Sequence, residues 1–302
     1  MQYIIDMEIH EIEKILKDTQ YGSFIGTFQK VVLKDFVYPE LFKMGNEDLG
    51  YFTLKIRDKR ETNFKDSIGC IKIAKDVDNF INVNTGDIEN DNYVIAISKW
   101  LNGKQPIDND RDKMPVFFSR LATLNKNNIV GGPYTSMYTY GRYFDTANEL
   151  IDWEINYHKK FFFESMDAKR ISEVLGILKR GLACIINEDM NCGNLFITDV
   201  EDYKITDTEW IIKGINLYQF QHINYFGFDE KTWYNITDEA KGCYEAYFCT
   251  LGLSNAEANE QIKAMELLSV LRTNTFLKDS KKDNDEEIER RIKLVMDKDK
   301  FI

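Results

Sequence analysis

The sequence predicts an α+β protein with a strand-rich first third and a mostly helical remainder. Before Gly103, runs of aromatic and β-branched residues are bounded by turn residues, a pattern typical of strands. From Pro115 onward, apolar residues instead recur at helical spacing. The chain has 302 residues and 43% hydrophobic content, which is enough to bury a core in two domains or lobes. We therefore predict a first domain at 1–103 and a second at 104–302.

The first domain is predicted to contain three strands and one helix. The segments with strand composition are residues 51–57, 79–83 and 93–98. The first of them carries aromatic and branched side chains around one central lysine, Lys55. A helix is predicted at 61–77, because apolar residues recur there at helical spacing. Residues 99–103 then connect the two domains.

The second domain is predicted to consist mainly of helices. Helical spacing of apolar residues marks the segments 115–124, 150–163 and 167–182. Pro115 suits a first helical position. Ser254 and Glu257 have the spacing of a capping box that opens a further helix. The highly charged segment 278–302 is predicted to be a surface helix with a frayed end.

Composition and charge disfavour several classes of function. No apolar run is long enough to cross a membrane, and the acidic residues within 1–16 are unlike a signal peptide. Five cysteines without a CxxC pair are typical of reduced thiols in a cytoplasmic protein. The formal net charge of −11 disfavours nucleic-acid binding, because phosphate contacts require a basic face. We therefore expect a cytoplasmic protein that binds neither nucleic acid nor membrane.

The most informative stretch is a polar loop between two apolar runs, 182–186 and 195–197. Within it Asp189 lies five positions before Asn194, and Asn194 lies thirteen before Asp207. Ordinary loop chemistry would account for one such residue pair, but two coupled spacings favour a catalytic site. One carboxylate can orient and deprotonate an attacking hydroxyl, and oxygen ligands can hold magnesium against nucleotide phosphates. The three side chains therefore predict phosphoryl transfer.

This stretch resembles the catalytic loop of the aminoglycoside phosphotransferase and choline kinase superfamily, which is related to the protein kinases. The usual pattern there is His-Gly-Asp-Leu-His-x-Gly-Asn, followed by a strand that ends in Ile-Asp-x-Glu. The corresponding residues here are Asn187-Glu188-Asp189-Met190-Asn191-Cys192-Gly193-Asn194 and Ile205-Thr206-Asp207-Thr208-Glu209. The resemblance implies that Asp189 is the catalytic base and that Asn194 and Asp207 bind Mg²⁺. The chain departs from the pattern at Asn187, Glu188, Asn191 and Thr206.

The resemblance also implies a protein-kinase-like two-lobed fold, with a small antiparallel β-rich N-lobe containing one helix and a larger, mostly helical C-lobe. Lys55 would then contact the phosphates of ATP or GTP, held by an acid on the following helix. Glu61 is the first candidate for that acid and Asp66 the second. The hinge residues Ser98 and Trp100 would line the adenine slot.

Two further regions are compatible with more than one role. The turn at 22–26, with two glycines, is a candidate for covering the nucleotide, and a plain turn is the alternative. Aromatic residues are frequent in 134–143 and in 210–234. They suit either stacking contacts with a sugar or quaternary amine or packing in the core of the C-lobe.

We therefore expect a kinase that transfers the γ-phosphate of a nucleoside triphosphate to an alcohol group of a small polar or cationic metabolite or antibiotic. A pseudokinase that binds nucleotide or a partner without turnover is the first alternative, because Asn187 and Glu188 replace the usual His and Gly. An interaction protein with an accidental loop motif is the second. Retention of Asp189, Asn194 and Asp207 favours the enzyme, since an inactive relative is free to lose any of them.

Overall fold

The computed structural model describes residues 8–33, 36–58, 62–75, 84–104, 113–161, 167–190, 194–198, 203–220, 238–279 and 285–302. Within these segments, no helix combines the length and the apolar character needed to cross a membrane.

The first part of the chain forms an antiparallel five-stranded sheet accompanied by two helices. Its elements are α1 (Ile9–Leu16), β1 (Gln29–Leu33), β2 (Phe36–Asn46), β3 (Gly50–Asp58), α2 (Thr62–Ile73), β4 (Asn84–Glu89) and β5 (Tyr93–Lys99). The strand order is β1-β2-β3-β5-β4, so β3 lies at the centre. Because side chains alternate faces along a strand, Leu54 and Ile56 are fully buried on one face while Lys55 and Arg57 lie on the other.

The strands predicted at 51–57 and 93–98 are confirmed as β3 and β5, and the helix predicted at 61–77 is confirmed as α2. The segment 79–83, predicted as a strand, lies outside the described residues. The elements α1, β1, β2 and β4 were not predicted. Pro39 and Gly45 interrupt the strand pattern within β2, because neither residue favours a strand interior.

The glycine-containing turn at 22–26 lies between α1 and β1 and includes the 3₁₀ helix Gly22–Phe24. The Gly26 amide donates a hydrogen bond to Glu13 Oε1 of α1 at 2.7 Å. The turn therefore joins a helix to the sheet. Its role in covering a nucleotide stays a prediction.

In the second part, helices surround two small sheets. The elements are β6 (Gly103–Lys104), α3 (Met114–Asn127), α4 (Ala147–His158), α5 (Ala168–Gly176), β7 (Ala183–Asn187), β8 (Leu195–Thr198), β9 (Tyr203–Ile205), β10 (Ile211–Ile215), α6 (Asp238–Leu251), α7 (Asn255–Asp279) and α8 (Asp285–Asp297). Short 3₁₀ helices lie at Met137–Thr139, Lys159–Phe161, Ile177–Arg180, Thr208–Trp210 and Asn216–Phe220. One sheet pairs β7 with β10, and the other has the order β6-β8-β9. The loop that carries Asp189 therefore connects the two sheets.

The helices predicted from apolar spacing are present, with one difference in length. α3 and α4 correspond to the predictions at 115–124 and 150–163, and Pro115 lies in the first turn of α3. The helix predicted at 167–182 is divided: α5 ends at Gly176 and the chain continues as the 3₁₀ helix Ile177–Arg180. Glycine weakens a helix interior, and a 3₁₀ turn is a common way for a helix to end.

The capping box at the start of α7 is confirmed. The Ser254 amide donates to Glu257 Oε2 at 2.9 Å, and the Glu257 amide donates to Ser254 Oγ at 3.4 Å. These reciprocal bonds satisfy backbone donors that the first turn of a helix leaves without intrahelical partners.

The frayed end predicted for segment 278–302 is wrong. α8 packs on α7 through a buried apolar face, and the last two residues, Phe301 and Ile302, are also buried. The Ile302 amide donates to Asn259 Oδ1 of α7 at 3.0 Å. The charged residues of this segment correctly indicated that α8 has an exposed face. The residues after α8 are nevertheless ordered, because Phe301 and Ile302 pack in the core.

Two hydrophobic clusters account for most of the buried apolar residues. The first lies between α1 and the five-stranded sheet. The second fills the helical part and also includes Cys70 and Ile71 of α2. The predicted α+β, two-lobed fold is confirmed. The domain division at 1–103 and 104–302 stays a prediction, and β6, which spans it, pairs with β8.

Candidate active site

The predicted catalytic base follows a buried strand. β7 is apolar up to its last residue, Asn187, and packs in the helical part, and Asp189 lies two residues beyond that end. Asn187 Oδ1 accepts a hydrogen bond from the Asp189 amide at 3.0 Å, as in an Asx turn. Asn187, which stands where the resembling family usually has His, therefore supports the backbone of the loop that carries Asp189.

Asn194 contacts Asp189 directly. Its Nδ2 donates to the Asp189 carbonyl at 2.7 Å and to Asp189 Oδ2 at 3.2 Å. The Asn194 carbonyl in turn accepts the Thr206 amide at 2.7 Å. Because Thr206 precedes Asp207, the structure brings the loop with Asp189 and Asn194 next to the segment that carries Asp207.

Lys55 of the five-stranded sheet reaches Asp207 of the helical part. Lys55 Nζ lies 2.8 Å from Asp207 Oδ1, although 152 residues separate them in sequence. Asp207 has a left-handed backbone, with φ +53° and ψ +72°. Such a conformation is disfavoured for residues with a Cβ and tends to occur at functional sites. The contact joins the predicted phosphate-binding lysine to a predicted metal ligand.

Glu209 is the centre of a second, more buried ion pair. Its Oε1 contacts both Lys55 Nζ and Arg57 Nη2, and Arg57 Nε donates to the same oxygen at 2.9 Å. Arg57 is 5% exposed. The sequence analysis did not identify Arg57. Its signal was the two-residue spacing from Lys55, which puts two cations on one face of a central strand.

Each charged group in this cluster stabilises the ionised form of its neighbours. Burial alone would lower the pKa of Lys55, but the Asp207 and Glu209 carboxylates outweigh it and raise that pKa above its ordinary value. Burial would raise the pKa of Asp207, but Lys55 and, more weakly, Arg57 hold it below its ordinary value. Asp207 is therefore ionised at neutral pH, as a metal ligand must be.

The two candidates for the acid that would form an ion pair with Lys55 fall outside the described side chains. Glu61 lies outside the described residues, and so does the side chain of Asp66. Helix α2 nevertheless contacts this site, because Ser67 Oγ donates to the backbone carbonyl of Glu209. The role predicted for Glu61 stays a prediction.

The hinge candidates Ser98 and Trp100 lie at the end of β5. Ser98 is opposite Thr53 of β3. The Trp100 amide donates to the Tyr51 carbonyl at 3.0 Å, and its ring lies 4.7 Å from Lys43 Nζ. Since that amide already has a partner, it is not available to donate a hydrogen bond to adenine. Both residues remain predicted cofactor contacts.

The aromatic residues near 134–143 divide between core and surface. Tyr134 is 7% exposed and belongs to the core, whereas Tyr140 and Tyr143 are 61% and 45% exposed. Tyr138 is half-buried, and its ring lies 4.3 Å from the Arg272 guanidinium. In the second aromatic run, Tyr218 and Phe220 are core residues, and 221–237 lies outside the described part.

The donor atoms at Asn194 and Asp207 suit magnesium. The Asp207 side chain is 38% exposed, and Asn194 uses its nitrogen toward Asp189, so its amide oxygen is the atom left for a cation. Mg²⁺ prefers one or two protein oxygens together with water and substrate phosphates over a cage made only of protein atoms. These two residues fit that preference.

Comparison with known proteins gives structural likeness without sequence matches. No protein-family model matches the chain, and no curated protein matches it. Ethanolamine kinase from Plasmodium vivax is 14% identical, with a TM-score of 0.59, over 94% of this chain and 86% of that one. An aminoglycoside phosphotransferase from Alicyclobacillus acidocaldarius is 11% identical, with a TM-score of 0.55, over 89% and 87%.

A third similar structure contains a nucleotide analogue. It is an amicoumacin kinase in complex with AMP-PNP and Ca²⁺, 10% identical with a TM-score of 0.54 over 91% of this chain and 90% of that one. At such identities the likeness concerns the fold. The chain therefore has a two-lobed, kinase-like α+β fold, similar to that of these three phosphotransferases and kinases.

Proposed function

We propose that this protein is an ATP- or GTP-dependent phosphotransferase that moves the γ-phosphate to an alcohol group of a small polar or cationic acceptor. The observation that carries the proposal is the 2.8 Å contact between Lys55 and Asp207. It brings the phosphate-binding candidate of one part of the chain to the metal-ligand candidate of the other. The Asp189–Asn194 loop adjoins the same segment through Thr206.

Asp189 is the residue proposed to act on the acceptor. Its carboxylate would accept the proton of the acceptor hydroxyl while that oxygen bonds to the γ-phosphorus and the bond to the leaving nucleoside diphosphate breaks. The hydrogen bond from Asn194 Nδ2 to Asp189 Oδ2 helps to orient this carboxylate. The proton then resides on Asp189 until it exchanges with solvent.

We propose that three residues bind the nucleotide phosphates and their metal ion: Lys55, Asn194 and Asp207. Asn194 and Asp207 would hold Mg²⁺, which neutralises charge on the transferring phosphoryl group when it is bound. Lys55 contacts two carboxylates, Asp207 and Glu209. Because Arg57 also neutralises Glu209, Lys55 can turn toward a phosphate without leaving Glu209 uncompensated.

The test is a coupled assay for ADP or GDP release with a panel of amino sugars, amino alcohols and other small alcohols. Asp189→Asn should lose ~10²–10⁴-fold in turnover while nucleotide binding, measured by thermal shift with Mg²⁺, is retained. Asp91→Asn, the same change in an exposed turn of the first part, is the matched control. Undiminished phosphorylation by Asp189→Asn would contradict the proposed mechanism.

A pseudokinase is the second candidate, favoured by the two carboxylates that hold Lys55 and by Asn187 and Glu188 in the catalytic loop. It predicts Mg²⁺-dependent nucleotide binding by a protein that is inert toward every acceptor. An interaction protein with an accidental motif predicts no such binding. The same two measurements therefore separate all three functions. The cytoplasmic location stays a prediction.

A further inference from the structure

The residue directly before the catalytic base has an environment of its own. Glu188 is 0% exposed, and its carboxylate has partners on both oxygens. Ser136 Oγ donates to Oε1 at 2.7 Å, and the Met137 amide donates to Oε2 at 2.6 Å. The Glu188 amide donates to the Trp210 carbonyl at 3.0 Å. A single residue thus joins the segment 136–137, the catalytic loop and the segment after Asp207.

Arg272 of α7 completes this cluster. Its Nη1 lies 3.1 Å from Glu188 Oε1, and its Nη2 lies 2.6 Å from Glu154 Oε1 of α4. The guanidinium also lies 4.3 Å from the ring centre of Tyr138 and 4.4 Å from that of Tyr218. Arg272 is 2% exposed. The carboxylates of Glu154 and Glu188 and the guanidinium of Arg272 are therefore buried together next to the loop that carries Asp189.

Stability alone does not explain such a cluster. Transferring charges out of water costs several kcal/mol per ion, and well-packed apolar residues of similar volume often serve stability as well or better. A buried ionic network instead fixes one arrangement of the segments that it joins, because any displacement leaves a charge without its partner. Here the joined segments are those that precede Tyr138 and Asp189.

Tyr138 is close enough to the catalytic base for electrostatic interaction. Burial raises the pKa of Tyr138 to about 12, Arg272 opposes the rise, and Glu188, Glu154 and Asp189 add to it. The ring of Tyr138 is half-buried. The segment that Glu188 contacts therefore carries an aromatic side chain within electrostatic range of Asp189.

We infer that Glu188 is a positioning residue that locks the segment Ser136–Tyr138 to the catalytic loop and so fixes Asp189 relative to the acceptor. The inference rests on the proposed phosphotransfer. It also accounts for the departure from the family pattern at this position, since the usual Gly has no side chain with which to make these contacts.

The decisive comparison is between Glu188→Gln and Glu154→Gln. Both remove one carboxylate from the same buried cluster, but only Glu188 contacts the segment 136–137. In Glu188→Gln only one acceptor oxygen remains, so either the Met137 amide or the Ser136 hydroxyl and Arg272 face a nitrogen that cannot accept. We expect kcat to fall ~10–100-fold, because a displacement of about 1 Å can have an effect of that order, with the Kd for Mg²⁺-nucleotide unchanged. Glu154→Gln should keep kcat within about threefold of the parent. Its loss of thermal stability should be similar to that of Glu188→Gln.

Ser136→Ala provides a milder variant in case Glu188→Gln does not fold. It removes the hydroxyl that donates to Glu188 Oε1 and leaves every charge in place. It should lower kcat several-fold, again without a change in nucleotide Kd. Normal kcat in both Glu188→Gln and Ser136→Ala, or an equal loss of kcat in Glu154→Gln, would overturn the inference.

Amide hydrogen exchange separates this inference from the proposed function. Glu188→Gln should speed exchange in peptides that cover 136–138 and 187–190, and Glu154→Gln should not. Unchanged exchange in both peptides would overturn the locking role even in a fully active enzyme. A parent protein that is inert toward all acceptors would instead overturn the phosphotransfer on which the catalytic part of the inference depends.

Discussion

The ion pair between Arg57 and Glu209 should be essential to the stability of the contact between β3 and the segment after Asp207. The two residues are 5% and 9% exposed. Removing one partner of a buried ion pair typically costs ~3–5 kcal/mol, because the other charge is left in the interior. Lys55 also contacts Glu209 and keeps part of the compensation. We therefore expect Arg57→Ala to lower the free energy of unfolding by about 3 kcal/mol, at the low end of that range.

A double-mutant cycle tests this reasoning. Glu209→Ala should also be destabilising, but the double variant should cost less than the sum of the two, because it leaves neither charge alone. Urea unfolding at equilibrium measures each free energy. The exposed pair Lys72–Asp87, at 2.8 Å with side chains 59% and 34% exposed, is the control and should show less than about 1 kcal/mol of coupling. Strict additivity for Arg57 and Glu209, or a loss no larger than in the control pair, would refute the reasoning.

Two further predictions concern the metal site and pH. Asp207→Asn should weaken Mg²⁺-dependent nucleotide binding by about tenfold or more, equivalent to ~1.4 kcal/mol. A nucleotide titration with and without Mg²⁺ measures this effect. Binding equal to that of the parent would contradict the assignment of Asp207 as a metal ligand. Burial, assisted by Arg272, lowers the pKa of His158 from 6.5 to about 3, and its Nδ1 lies 2.8 Å from Thr275 Oγ1. The unfolded state therefore binds more protons between those pH values, and the free energy of unfolding should fall with pH below 6.5 by up to ~1.4 kcal/mol per pH unit. His158→Gln should lose less stability than the parent between pH 7.5 and 5.5, and equal losses would contradict the assignment.

The parts of the structure that depend on local pattern could be predicted from the sequence. β3 and β5 have strand composition, and α3 shows helical periodicity. The candidate catalytic loop could be proposed because its three chemical groups lie on two short segments at fixed spacing. The capping box at Ser254 and Glu257 is likewise complete within four residues. In each case the interactions that define the feature are close in sequence.

The parts that depend on contacts between distant segments could not be predicted. Arg57 and Glu209 are 152 residues apart, and nothing near either residue shows that the other is its partner. In the sequence, Glu188 is only a departure from the family pattern. Its partners on 136–137 and α7 are distant in sequence, and only the fold brings them to it. The aromatic residues of 134–143 share one composition, but burial separates Tyr134 from Tyr140. Composition carries no information about which side of a loop faces the core.

The left-handed backbone at Asp207 restricts which residues that position can accept, independently of the metal. Glycine, asparagine and aspartate tolerate this conformation, whereas other side chains are strained by roughly 1–2 kcal/mol. Glutamate, the only other natural side chain with a carboxylate, is therefore disfavoured there even though its charge is correct. Of the residues that the backbone tolerates, only aspartate is also anionic. No substitution at position 207 therefore keeps both the conformation and the charge.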